Sequence, residues 1–134
     1  MNRIRLIVAA LGLLLSCGWA AIADEPMHTK DSLDTVKENL KEGKAVLVDV
    51  REEKEWKEGH IAGALFMPKS KLTVEKELAE LIKTLDKSKI VYTHCMKGKR
   101  ALDCGEVLKK QGFDVRPLKA GFPQLIEAGF EKAK

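Results

Sequence analysis

Ile90–Lys110 reads IVYTHCMKGKRALDCGEVLKK. Its first five residues, Ile90 to His94, make one short apolar, β-favouring run, which predicts a strand. The run stops at Cys95, and three of the next five residues (Lys97, Lys99 and Arg100) are cationic, with Gly98 among them. From Arg100 to Lys110, Ala101, Cys104, Val107 and Leu108 recur at helical spacing, and Gly112 follows as a stop. Strand, tight loop and helix in immediate succession form half of a parallel β-α-β unit.

The flanking sequence repeats this alternation. Asp31 or Ser32 can cap a helix whose Leu33, Val36 and Leu40 share one face, with Gly43 ending it. Ala45–Val50 is a nearly continuous apolar run, as in a strand buried on both faces. Glu52–Glu58 is a short charged helix carrying Trp56, broken by Gly59, and Ala64–Met67 is a second buried strand closed by Pro68. Thr73–Leu85 predicts one helix with Val74, Leu78, Leu81, Ile82 and Leu85 on a stripe. Val115–Leu118 is a fourth strand and Phe122–Ala128 a last helix. The expected fold is α/β: a small central parallel sheet with helices on both faces. In open sheets of this kind ligands bind beyond the carboxyl ends of the strands, where Cys95 stands and where Asp49 and Arg51 close another strand.

The chain has 134 residues and a formal net charge of +4. Arg3 and Arg5 precede the apolar run Leu6–Leu15, and Ala21-Ile22-Ala23 offers a small-x-small cleavage site. The expected organisation is a signal peptide over residues 1–23 and one domain over 24–134, exported to the periplasm. A second reading lipidates Cys17, within Leu14-Leu15-Ser16-Cys17, and anchors the protein to a membrane; a third keeps the segment as an anchor helix. The low net charge argues against a nucleic-acid surface. An oxidising compartment raises the question of a Cys95–Cys104 disulfide. A strand-end cysteine and one a turn inside the following helix are poorly placed to bridge.

Thiolate is the nucleophilic form of cysteine, and three features of this loop favour an anion. The helix after Cys95 points its N-terminal N–H groups back at the loop. A turn closed by Gly98 can aim successive backbone N–H groups inward as an anion nest, and Lys97, Lys99 and Arg100 add positive charge. Cys104, mid-helix on the apolar face, reads as core.

Three separated stretches resemble the single-domain rhodanese (sulfurtransferase) family, most closely its small exported members. VLVDVREEKEWKEGHIAGALFMP (Val46–Pro68) is similar to that family's Asp-Val-Arg strand end, Glu-aromatic helix and Gly-His-Ile-x-Gly-Ala turn. VYTHCMKGKRALDCGEVLKKQGF (Val91–Phe113) resembles its Cys-x-x-Gly-x-Arg loop and helix, and LKAGFPQLIEAGF (Leu118–Phe130) its closing turn and helix. Ala120 stands where the family more often has a second glycine. The resemblance implies a thiosulfate sulfurtransferase in which Cys95 takes a sulfane sulfur as a persulfide and passes it on. Met96, Lys97, Gly98, Lys99 and Arg100 would cradle a small anionic sulfur donor, with Lys97 meeting its sulfonate, and Asp49 and Arg51 would brace the loop. The acceptor would be cyanide or a thiol, a protein thiol included. No cofactor, metal or nucleic acid is implied, and a membrane only if Cys17 is lipidated.

His60 reads as structural. His94, adjacent to Cys95 along a strand, should point to the opposite face, and His28 reads as exposed. Two other functions use the same loop. A persulfide carrier would load sulfur with little turnover. A cysteine-loop phosphatase has five residues between cysteine and arginine, whereas four separate Cys95 from Arg100 here.

Overall fold

The computed structural model describes residues 25–134. The expected signal peptide and Cys17 lie outside the described residues, and among those described no helix is long and apolar enough to cross a membrane.

The chain order is α1 (Leu33–Lys41), β1 (Ala45–Asp49), α2 (Glu53–Glu58), β2 (Leu65–Phe66), α3 (Lys69–Leu72), α4 (Glu75–Leu81), a 3₁₀ turn (Ile82–Thr84), β3 (Ile90–His94), α5 (Lys99–Lys110), β4 (Asp114–Pro117) and α6 (Phe122–Glu127). The four strands form one parallel sheet in the order β2-β1-β3-β4. Asp49 pairs with His94 and with Phe66, and Thr93 pairs with Pro117. The chain moves from β1 outward to β2, then returns to lay β3 on the other side of β1. The order in which strands are added therefore reverses between β1 and β3, and the carboxyl ends of those two parallel strands border the crevice where such sheets bind ligands.

Strand alternation divides the core. Val48, Val50, Val91, Cys95 and Val115 pack with Leu72 of α3 and Ala101, Cys104 and Leu108 of α5. Leu47 and Tyr92 pack in a second cluster with Val36 of α1, Leu125 of α6, Ile61 and Phe130. Leu72, Leu108 and Leu125 are completely buried, each worth roughly 1.5–3 kcal/mol of hydrophobic stabilisation.

Caps set several helix starts. The Ser32 hydroxyl accepts from the Thr35 N–H at 3.1 Å, so Ser32 rather than Asp31 caps α1. Glu52 caps α2 in a reciprocal box with Glu55. The single helix expected over Thr73–Leu85 is instead the shorter α4 followed by a 3₁₀ turn, with α3 as a separate helix before it. Pro68 starts α3 early, Thr73 bonds its hydroxyl back to the Lys69 carbonyl, and Val74 adopts an extended backbone before α4. Leu78, Leu81, Ile82 and Leu85 still pack on the core, but Val74 is 47 % exposed rather than part of the stripe. Val107, expected inward, is half-buried.

Candidate active site

Strand β3 ends at His94, and Cys95 begins the loop that runs into α5. Three backbone bonds hold the loop. Phe122 donates its N–H to the Cys95 carbonyl at 2.9 Å, Leu118 donates to the Thr93 carbonyl at 2.8 Å, and Val50 donates to the His94 carbonyl at 3.0 Å. The Thr93 hydroxyl donates to the Ala101 carbonyl at 2.9 Å, tying the strand end to the first turn of α5.

Gly98 closes the loop in the left-handed region, with φ +94°. That conformation is accessible to glycine at little steric cost, and it aims the Gly98 N–H at Cys95 Sγ, 3.0 Å away. Cys95 is almost fully buried, yet it lines an open hollow of about 270 Å³ together with Glu55, Met96, Lys97, Lys99 and Arg100. The fold thus brings Cys95 and all five expected cradle residues together, Gly98 through its backbone.

Charge around the hollow is distributed unevenly. Arg100 is bound by both oxygens of Glu55, at 2.7 and 2.9 Å. This pairing holds the Glu55 carboxyl below its usual range and raises the Arg100 guanidinium. Lys99 bonds Asp103 at 2.8 Å and Lys69 bonds the same carboxylate at 2.9 Å, which lowers the Asp103 carboxyl. Among the described residues Lys97 makes no ion pair; it is exposed at the rim. The free positive charge at the mouth therefore belongs to Lys97, while Arg100 frames the wall.

Asp49 and Arg51 do not line the hollow. They are buried under the sheet's end as a bidentate pair, with Arg51 Nη2 2.8 Å from Asp49 Oδ2. Arg51 also donates to the Gly59 carbonyl at 2.8 Å and lies over the Phe122 ring at 4.3 Å. Arg51 thus touches the residue whose N–H holds the Cys95 carbonyl. His94 points to the same face as Asp49, away from the Cys95 cluster, with Nε2 3.6 Å from Asp49 Oδ2. Among the described residues neither His94 ring nitrogen has a hydrogen-bond partner, and burial pushes the imidazole below its ordinary range. His60 stacks on Trp56 at 3.5 Å and bonds the Trp56 carbonyl, a structural role. Cys95 and Cys104 are free thiols, and burial pushes the Cys104 thiol up to about 12. Among the described residues no three His, Cys, Asp or Glu side chains gather as a metal site.

Three contributors escape sequence reasoning. Glu55 is one; its pairing with Arg100 spans 45 positions, and the only hint is a helix that begins beside the Asp49–Arg51 strand end. Gly121 is the second. A Cβ there would run into the Met96 carbonyl, so the closing turn needs glycine at 121, whereas Ala120 is accommodated. The third is His28. It is half-buried rather than exposed, and its Nε2 lies 2.9 Å from the Gly98 carbonyl.

Comparison with known proteins agrees with this architecture. The rhodanese-like domain pattern matches residues 32–128. The uncharacterized protein YqhL of Bacillus subtilis is 39 % identical over 80 residues, which cover 59 % of this chain and 59 % of YqhL; the match thus spans under two thirds of that relative's length. The crystal structure of a rhodanese-related protein from Thermoplasma volcanium superimposes with a TM-score of 0.62 at 27 % identity, covering 75 % of this chain and 93 % of that one. A Bacillus halodurans protein shares the fold at 23 % identity, with a TM-score of 0.65 over 81 % of this chain and 77 % of its own. The parallel sheet, the strand-end cysteine loop and the matched span together make this chain a member of the rhodanese-like domain family, a family of the sulfurtransferase type.

Proposed function

We propose that the protein transfers a sulfane sulfur from thiosulfate, or a donor like it, to a thiophilic acceptor through a persulfide on Cys95. The observation that carries this reading is the Gly98 N–H aimed at Cys95 Sγ at the edge of a hollow whose free cation is Lys97. In the first half-reaction the Cys95 thiolate attacks the outer sulfur of thiosulfate. The sulfur–sulfur bond of the donor breaks, sulfite leaves with the electron pair, and Cys95 carries the terminal sulfur as an anion. The Gly98 N–H, at the N-terminal end of α5, faces that negative charge. In the second half-reaction cyanide or a thiol attacks the terminal sulfur, and the Cys95 thiolate leaves restored.

Met96, Lys97, Gly98, Lys99 and Arg100 form the cradle in this reading, with Lys97 meeting the sulfonate. Asp49 and Arg51 keep the loop in place through Phe122. Export to the periplasm, with cleavage after Ala23, belongs to the same proposal.

Steady-state production of thiocyanate from thiosulfate and cyanide tests the reading. Turnover by the wild-type chain that vanishes in Cys95→Ser supports it. Turnover retained in Cys95→Ser removes Cys95 from the reaction. Stoichiometric sulfur uptake without turnover would instead favour a persulfide carrier.

A further inference from the structure

We propose that His28 is a positioning residue for the cysteine loop, locking Gly98 in the orientation that turns its N–H onto Cys95. The inference rests on the sulfur-transfer reading for its consequence in catalysis, but its geometry stands apart from that reading.

The segment before α1 is fastened across the carboxyl end of the edge strand. Thr29 donates its N–H to the Pro117 carbonyl at 2.7 Å. Asp31 accepts from the Tyr92 hydroxyl at 2.7 Å and from Arg116 Nη1 at 2.9 Å. With these anchors one and three residues away, His28 is directed to the loop. Its Nε2 lies 2.9 Å from the Gly98 carbonyl oxygen. A carbonyl only accepts, so Nε2 carries the proton and donates it.

Gly98 is thereby held on both sides: its N–H bonds Cys95 Sγ and its carbonyl bonds His28. The helical partner of that carbonyl, the Leu102 N–H, is farther away at 3.3 Å, so the imidazole makes the shorter bond. Glycine is the residue with most backbone freedom, and a small rotation would swing its N–H off the sulfur. Where a side chain on Gly98 would project, the nearest atoms are the Lys119 carbonyl at 2.9 Å and His28 Nε2 at 3.0 Å. The imidazole thus packs against Gly98 on the side where a side chain would project.

The test compares His28→Ala with His28→Gln, whose side-chain amide can place an N–H donor at similar reach. Two readouts are taken: the rate constant for alkylation of Cys95 by iodoacetamide, and kcat and KM for sulfur transfer to cyanide. His28→Ala is expected to slow alkylation and lower kcat by about three- to ten-fold, the range of one hydrogen bond, with KM little changed. His28→Gln should recover both rates to within about two-fold of wild type. Unchanged rates in His28→Ala would overturn the proposal, as would a His28→Gln variant as slow as the alanine. If no variant transfers sulfur but the alkylation contrast persists, His28 positions the loop and the sulfur-transfer reading fails. If transfer proceeds equally in all three, His28 fails alone.

Discussion

Arg100 and Glu55 meet through two parallel hydrogen bonds of 2.7 and 2.9 Å on the wall of the cysteine hollow. Glu55 is itself held by the Glu52 N–H at the start of α2, so the pair clips the first turn of α5 to the helix that follows β1. The bidentate geometry uses the planar fork of arginine, which lysine lacks. Its consequence is electrostatic: the arginine of the loop is neutralised in place, and in the proposed reaction the donor meets a lysine.

Lys97 and Arg100 should therefore fail differently. Lys97→Ala is expected to raise KM for thiosulfate by about three- to ten-fold, the effect of losing one charge-assisted contact at an exposed rim, while leaving the melting temperature unchanged. Added salt should weaken donor binding in the wild type and do so less in the variant. Arg100→Ala should instead lower stability by about 1 kcal/mol, because a half-buried Glu55 loses its partner. Thermal melts and donor titrations at two ionic strengths separate these outcomes. An unchanged KM in Lys97→Ala would remove that residue from the site.

Gly121→Ala tests the closing turn. The added methyl group would press on the Met96 carbonyl, and Met96 is the residue after Cys95. Overpacking of this kind costs about 1–3 kcal/mol, and a displaced loop can lose on the order of a hundredfold in rate. Sulfur transfer should fall far more than the melting temperature does. Full activity in Gly121→Ala would mean that the loop tolerates the shift.

The buried His94 makes a prediction about acid. Burial depresses its folded-state value below the ordinary imidazole range, and Asp49 opposes that shift only in part. The neutral ring is the form that the fold accommodates. The stability it contributes is present above the unfolded value of about 6.5, and is lost as pH falls through the lower folded value. His94→Leu removes both unpartnered nitrogens and should flatten the decline in melting temperature below pH 6 in a pH-dependent melt. An unaltered acid limb would assign acid sensitivity to other groups, such as Asp31, whose carboxyl is lowered by its bonds to Tyr92 and Arg116.

The two described cysteines should differ in reactivity. Cys104 is pushed up to about 12 by burial, so it stays a thiol below that value. Its stabilising contribution is complete below the unfolded value and is lost only as pH rises toward the folded one. Peptide mapping after alkylation at pH 9 should find the native chain modified at Cys95, and Cys104 modified only after denaturation. Labelling of native Cys104 at a comparable rate would show that the helix opens.

Most of the fold was legible because its information is local. The apolar runs at Ala45–Val50 and Ile90–His94 hold β1 and β3, Val50 lying just past the end of β1, and the Ala101, Cys104 and Leu108 stripe becomes the buried face of α5. The loop was legible for the same reason, since Cys95 through Arg100 are consecutive. The misreadings are non-local or depend on backbone detail. Thr73 and Val74 fit a helical period, and only the Thr73 bond to Lys69 and the extended Val74 break it. Glu55 and His28 reach the loop from 45 and 70 positions away, distances at which spacing carries no information. Gly121 is visible as a glycine, but its necessity rests on the approach of Met96.

The most direct measurement is the intact mass of the protein before and after excess thiosulfate, without reductant. Persulfide chemistry at Cys95 predicts a gain of one sulfur atom that cyanide removes and that Cys95→Ser never acquires. A folded wild-type chain that gains nothing, with Cys95 still free to alkylate, would contradict thiosulfate as the donor. A gain retained by Cys95→Ser would contradict the persulfide on Cys95 itself.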